Sequence, residues 1–117
     1  MDPKLGQWED IARLGDKYRL MFDGVINHVS SKSEWFREFL NRNPNFEDFF
    51  VSFESPKAIS PDHLRLILRP RTSSLLTEYQ TLHGPRWVWT TFSPDQIDLN
   101  FRSENVLFSV LGVLLYY

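Results

Sequence analysis

In Arg19-Leu20-Met21-Phe22-Asp23-Gly24-Val25-Ile26-Asn27-His28-Val29-Ser30 an apolar run from Leu20 to Ile26 occupies both parities, is broken once by Asp23 and ends in Asn27-His28. Such a run suits a strand covered on both faces, as in a parallel sheet flanked by helices, and predicts a strand over 17–26. Alternation sets Met21, Asp23, Val25 and Asn27 on one face, and Leu20, Phe22, Gly24, Ile26 and His28 on the other. Functional side chains of α/β folds gather at strand ends, so Asn27 and His28 are candidates. A lone histidine after a strand is more often a loop residue that merely satisfies a backbone group, and a lone Asp in a strand can mark an edge or a turn.

Helical spacing flanks this run. Trp8, Ile11 and Ala12 share a face at i, i+3, i+4, which predicts a short helix over 7–14 that Gly15 closes in a left-handed cap. Ser31-Lys32-Ser33-Glu34 fits a capping box with Ser31 as N-cap, ahead of a helix over 32–40 with Trp35, Phe36, Phe39 and Leu40 on one side. Phe46, Phe49, Phe50 and Phe53 follow as an aromatic cluster whose default place is the core. Residues 55–75 hold Pro56, Pro61 and Pro70 and predict a loop-rich segment. Strands over 76–80 and 86–92 flank the turn signal His83-Gly84-Pro85. Ser103 is a good N-cap with Glu104 in the first turn, and Val106, Leu107, Val110, Leu111, Leu114 and Leu115 then make a wide apolar stripe that runs to Tyr116-Tyr117.

Composition narrows the possibilities without naming one. The chain has 117 residues, a formal net charge of -2 and no cysteine, and a sequence pI near 5.9. It is long enough for one small domain with a modest core. The charge argues against nucleic acid, and Arg65, Arg69 and Arg71 are a weak basic cluster. Absent cysteine removes disulfide and thiolate chemistry and fits a reducing compartment. No charged and apolar leader opens the chain and no apolar run reaches the ~20 residues of a membrane helix, so the expectation is a cytoplasmic protein without a membrane partner. Gly-rich phosphate loops, His-Glu-x-x-His and Gly-x-Ser-x-Gly are missing, and His28, His63 and His83 lack metal spacing.

Three motifs carry a resemblance. Asp23-Gly24-Val25-Ile26-Asn27-His28 resembles the Asp-x-x-x-Asn-His signature on the third barrel strand of the α-amylase superfamily. Phe92-Ser93-Pro94-Asp95-Gln96-Ile97-Asp98-Leu99-Asn100 resembles the patch that closes that superfamily's inserted domain. Arg69-Pro70-Arg71, Leu75-Leu76-Thr77 and Trp87-Val88-Trp89-Thr90-Thr91-Phe92 look like the sucrose phosphorylase branch. The motifs keep their order over nearly the whole chain.

The resemblance implies an α/β fold, part of a (β/α)8 barrel with a small inserted α+β domain: barrel over 1–30 (second helix, third strand), insertion over 31–100, barrel helix over 101–117. Met1 is then an internal boundary. It implies substrate-binding roles for His28, which would hydrogen-bond the glucosyl unit beside the scissile bond, for Phe92 flanking the sugar, for Gln96 facing the acceptor side, and for Arg71 meeting acceptor or phosphate. The alternatives are packing for Phe92 and a solvated loop for Arg69 and Arg71. Asp23 would be a buried carboxylate paired with an arginine of the next barrel strand. Asn27 and Asp98 match two calcium positions of many α-amylases, but calcium takes six to eight oxygens, so neither metal nor cofactor is expected and these residues support the site.

Retaining glucosyl transfer needs two carboxyl groups about 5–5.5 Å apart, and their superfamily motifs are not in this sequence. The expectation is a segment of a sucrose phosphorylase-like enzyme, acting on an α-glucoside and phosphate to give glucose 1-phosphate, with no catalytic residue of its own and inactive alone. Its partners would be the sugar, phosphate and the remainder of the barrel or an oligomer. The competing reading is a free-standing sugar-binding or interaction module.

Overall fold

The computed structural model describes residues 2–69 and 71–116; Met1, Pro70 and Tyr117, and the expectations placed on them, lie outside the described residues. In order, the elements are α1 (Trp8–Gly15), β1 (His28–Ser30), α2 (Glu34–Leu40), a 3-10 turn (Pro44–Phe46), β2 (Ser52–Phe53), α3 (Pro61–Leu66), β3 (Leu76–Thr81), β4 (Gly84–Trp89), β5 (Gln96–Asp98) and α4 (Glu104–Tyr116). Two small antiparallel sheets form, one pairing β1 with β5 and one ordered β2-β4-β3.

The core lies between α2, the sheets and the first half of α4. Phe36, Phe39, Phe49, Phe50, Val88, Ile97, Leu99, Val106 and Val110 form one buried cluster, with Trp35, Leu40, Phe46 and Tyr79 packed on it. Helix α2 presents Phe36 and Phe39 at i, i+3, the spacing that stacks side chains on one face; their rings lie 5.7 Å apart, nearly parallel. Phe50 meets both edge-on at 5.2 and 5.3 Å. Phe53 stands on β2, outside the buried cluster. The N-cap of α2 is Ser33, which accepts from the Phe36 N–H at 3.2 Å, two residues later than the capping box predicts. At its other end Arg42 takes a left-handed φ of 59°. Asn43 N–H then reaches the Glu38 carbonyl and Arg42 N–H that of Phe39, each at 3.0 Å, which satisfies carbonyls the helix end leaves open.

The predicted strand over 17–26 does not form. Residues 19–26 join no ladder among the described residues and are exposed throughout; Met21 is 96% and Phe22 70% accessible. A strand buried on both faces needs a neighbour on each edge, and no described element lies in register with it. Asp23 is therefore exposed, not a buried carboxylate. The strand begins only at His28 and is antiparallel, His28 opposite Asp98, Val29 opposite Ile97 and Ser30 opposite Gln96.

Other boundaries also move. Gly15 is the last residue of α1, and the cap is Asp16 with a right-handed φ of -65°. Within the predicted loop of 55–75, Ser60 accepts from the His63 N–H and Pro61 opens α3, the N-cap and first-turn proline arrangement that starts helices. The hairpin turn is Leu82-His83, so that Gly84, at φ 109°, already pairs with Thr81. Strand β4 ends at Trp89, short of the predicted Phe92.

Helix α4 starts where its sequence predicts. Ser103 Oγ accepts from Val106 N–H at 3.4 Å and donates to Asp48 Oδ2 at 2.6 Å. Of the apolar stripe only Val106 and Val110 are buried. Ser103→Ala removes a cap and leaves Asp48 one donor short; it is expected to cost about 1–2 kcal/mol in urea unfolding, with Ser103→Thr recovering most of that loss.

Candidate functional site

Pairing of β1 with β5 builds the site. Alternation sends Val29 and Ile97 to the core side and leaves His28, Ser30, Gln96 and Asp98 on the other face. Gln96 lies diagonally across from His28, within reach of a long side chain, and its Nε2 is 2.9 Å from His28 Nε2. The other ring nitrogen, Nδ1, is 2.8 Å from Asn27 Nδ2. Phe92 leans on the imidazole with ring centroids 5.5 Å apart and planes at 56°. Two carboxamides and one aromatic thus surround one imidazole.

The hydrogen bonds assign the tautomer. A neutral imidazole offers one N–H and one lone pair. Ser93 Oγ donates to Gln96 Oε1 at 3.1 Å, which leaves the Gln96 amide N–H for His28 Nε2. An Nδ1 proton then requires the Asn27 carboxamide turned over, its oxygen taking the place of the Nδ2 that stands 2.8 Å from Nδ1. A ligand hydroxyl engages this ring by taking the place of one of the two amides.

Asp98 faces His28 in register but turns its carboxylate to the Thr91 N–H, Oδ2 accepting at 2.7 Å. Thr91 is held at two further points: its carbonyl accepts from Arg69 at 2.9 Å, and its hydroxyl from Trp89 Nε1 at 2.9 Å. Arg69 also donates to the Ser73 carbonyl. These bonds fix the backbone beside Phe92. Arg69 is thus a loop anchor, a role sequence reading missed because a bond to a backbone carbonyl leaves no residue pattern. Arg71 is exposed, two residues beyond that anchor, and the bonds just named run through Arg69.

Segment 93–96, which carries Gln96, is itself tied down. Ser31 donates its N–H to the Asp95 carbonyl at 3.0 Å and its hydroxyl to Asp95 Oδ1 at 3.2 Å, so Ser31 serves this turn rather than capping α2. Tyr79 donates its hydroxyl to the Pro94 carbonyl. Burial, and secondarily the Asp95 carboxylate, raise the Tyr79 pKa above its ordinary value.

His28 also borders a cavity of about 270 Å³ between residues 25–29, the start of α2, and α4. Val25, Ile26, Trp35, Val110 and Leu114 line most of it. A sugar needs convergent polar groups; these converge on the Gln96 side of the imidazole, not here. Among the described residues no three His, Cys, Asp or Glu side chains gather where they could hold a metal ion, and no helix is long and apolar enough to cross a membrane.

The family described as alpha amylase, catalytic domain, matches residues 1–117. A glucosylglycerate phosphorylase of Escherichia coli (strain K12) is 49% identical over 113 residues, 96% of this chain and 19% of that protein. A sucrose phosphorylase of Agrobacterium vitis is 36% identical over 110 residues, 90% of this chain and 22% of that protein. Among solved structures, a trehalulose synthase mutant in complex with Tris superposes with a TM-score of 0.68 at 24% identity, over 94% of this chain and 21% of that one; this likeness is one of fold. The family and the solved structure imply a TIM-barrel-type fold. The chain spans about a fifth of the length of the curated relatives it matches.

Proposed function

Because this chain belongs to the α-amylase catalytic-domain family, we propose that it is the sugar-holding segment of a retaining α-glucoside phosphorylase. Residues 1–30 supply the second helix and third strand of a (β/α)8 barrel, 31–100 the inserted domain, and 101–117 the third helix. The apolar faces exposed at 20–26 and along α4 suit barrel neighbours on both sides, and Asp23 faces a guanidinium of the following strand once that strand is beside it.

The observation that carries the reading is the enclosure of His28 by Gln96, Asn27 and Phe92. In the proposed enzyme His28 hydrogen-bonds the glucosyl unit, Phe92 flanks the sugar ring, and Gln96 faces the acceptor side. Arg71 meets phosphate or the acceptor, where a planar guanidinium forks onto an oxyanion. Asn27 and Asp98 act as supports, one on the ring and one on Thr91. The acid/base protonates the leaving alcohol as the carboxylate takes the glucosyl carbon; a phosphate oxygen then attacks that carbon, its bond to the carboxylate breaks and the phosphate proton returns to the acid/base, giving glucose 1-phosphate. Glucosylglycerate is the first donor to test, since phosphorylases of that name share more identity with this chain than the sucrose phosphorylase does.

The test is glucose 1-phosphate release from glucosylglycerate or sucrose, with inorganic phosphate, in the polypeptide that contains this segment and in the 117-residue chain alone. The expected result is turnover by the former and none by the latter, which holds neither catalytic carboxyl motif. Turnover by the short chain, or hydrolysis indifferent to phosphate, contradicts the proposal. A second reading has support in the same exposed apolar faces, which are also those of an interaction module. A monodisperse, folded oligomer of the 117-residue chain favours that module, and aggregation favours the barrel segment.

A further inference from the structure

His28 depends on Gln96, and Gln96 depends on the turn over 93–96. That turn is closed internally by Gln96 N–H donating to the Ser93 carbonyl at 3.0 Å and by Ser93 Oγ donating to Gln96 Oε1 at 3.1 Å. Ser31, next to the site on β1, ties one side of it. The tie from the other sheet is Tyr79 on β3, whose hydroxyl reaches the Pro94 carbonyl. Its ring stands edge-on to the buried Phe36, centroids 4.8 Å apart at 81°. Phenylalanine would satisfy that packing, so the hydroxyl is surplus to the core. The hydroxyl serves the turn.

We propose that Tyr79 is a positioning residue: by holding the Pro94 carbonyl it fixes the turn that aims Gln96 at His28 Nε2, and so sets the tautomer and orientation of the imidazole. The inference rests on His28 being the sugar-binding group proposed above. It adds a residue that touches neither sugar nor phosphate and lies 17 positions before the glutamine it aims.

The experiment is nitrogen-15 NMR of the selectively labelled imidazole and Gln96 carboxamide in the polypeptide that contains this segment, comparing wild type with Tyr79→Phe and Thr77→Val. Thr77→Val removes a hydroxyl pair with Thr90 from the same hairpin and serves as the structural control. In Tyr79→Phe the Gln96 amide protons should exchange roughly fivefold faster, the loss expected for one hydrogen bond. The His28 ring nitrogens should shift toward a freely exchanging imidazole, with β3–β4 amide protection unchanged. Thr77→Val should move neither signal. Unmoved signals in Tyr79→Phe, or equal movement in both variants, overturn the inference. If Tyr79→Phe does not fold, the wild-type hydroxyl proton decides. A slowly exchanging Tyr79 hydroxyl close to Pro94 supports the tie, and exchange as fast as in free tyrosine overturns it. No sugar is present, so a negative result strikes the positioning role of Tyr79 and leaves the proposed function standing, whereas absence of glucose 1-phosphate strikes the proposed function and leaves the tie from Tyr79 to the turn in place.

Discussion

His28→Ala, in the polypeptide that carries this segment, is expected to lower kcat/KM for phosphorolysis roughly a hundredfold, the low end of what removing one positioned donor from a water-excluded site costs. Three losses combine. The sugar loses a hydrogen-bonding group. Gln96 and Asn27 lose the ring that orders both carboxamides. Phe92 loses the neighbour it leans on. Both kcat and KM should change, because a ring that orients the glucosyl unit acts in the ground state as well as the transition state. Stability should hardly move: His28 projects from the face opposite Val29 and Ile97 and supports no buried cluster. Steady-state kinetics beside a thermal melt separate the two effects. Activity within twofold of wild type, with the fold intact, removes His28 from the site.

Phe36→Ala should cost about 3–5 kcal/mol, the usual loss for a buried phenylalanine and a large share of a small domain's total stability. Phe36 is 1% accessible and its ring contacts those of Phe39, Phe50 and Tyr79. Truncation opens a hole at the junction of α2, β3 and the segment before β2. The comparison is Leu82→Ala in the hairpin turn, 72% accessible and outside the faces proposed to meet barrel neighbours, which should change stability by less than about 0.5 kcal/mol. Urea unfolding of both variants checks the contrast. Similar losses would mean that the core is placed wrongly. Phe36→Ala should also disturb the site through Tyr79, an effect that Leu82→Ala should not share.

What was legible in the sequence was mostly local. The apolar face of α2, the Ser103 cap of α4 and the hairpin at Gly84 each follow from residues within a few positions of one another. The pairing of β1 with β5 joins residues 70 positions apart, His28 with Asp98, and periodicity carries no trace of such a partner. The stretch 17–26 reads as a strand because its pattern is that of a two-face burial, but no described element pairs with it, and its apolar side chains and Asp23 stand exposed. Helix α3 was missed although Ser60-Pro61 announces it, because three prolines suggested a loop.

The cluster at His28 was nominated by motif resemblance, and the structure brings His28, Asn27, Phe92 and Gln96 into contact while Asp98 braces the adjoining backbone. Its supports were not legible. Arg69, Tyr79 and Ser31 act on backbone carbonyls of Thr91, Pro94 and Asp95, and any residue offers a carbonyl. A sequence shows which side chains can carry chemistry more readily than which ones hold them still.

The most direct test of the central claim is a crystal structure of the longer polypeptide with glucosylglycerate bound. The account predicts a glucosyl hydroxyl within about 3 Å of a His28 ring nitrogen, in place of one of the two amides, with the sugar ring beside Phe92. A sugar bound elsewhere, with Asn27 and Gln96 still closed on an untouched imidazole, contradicts it.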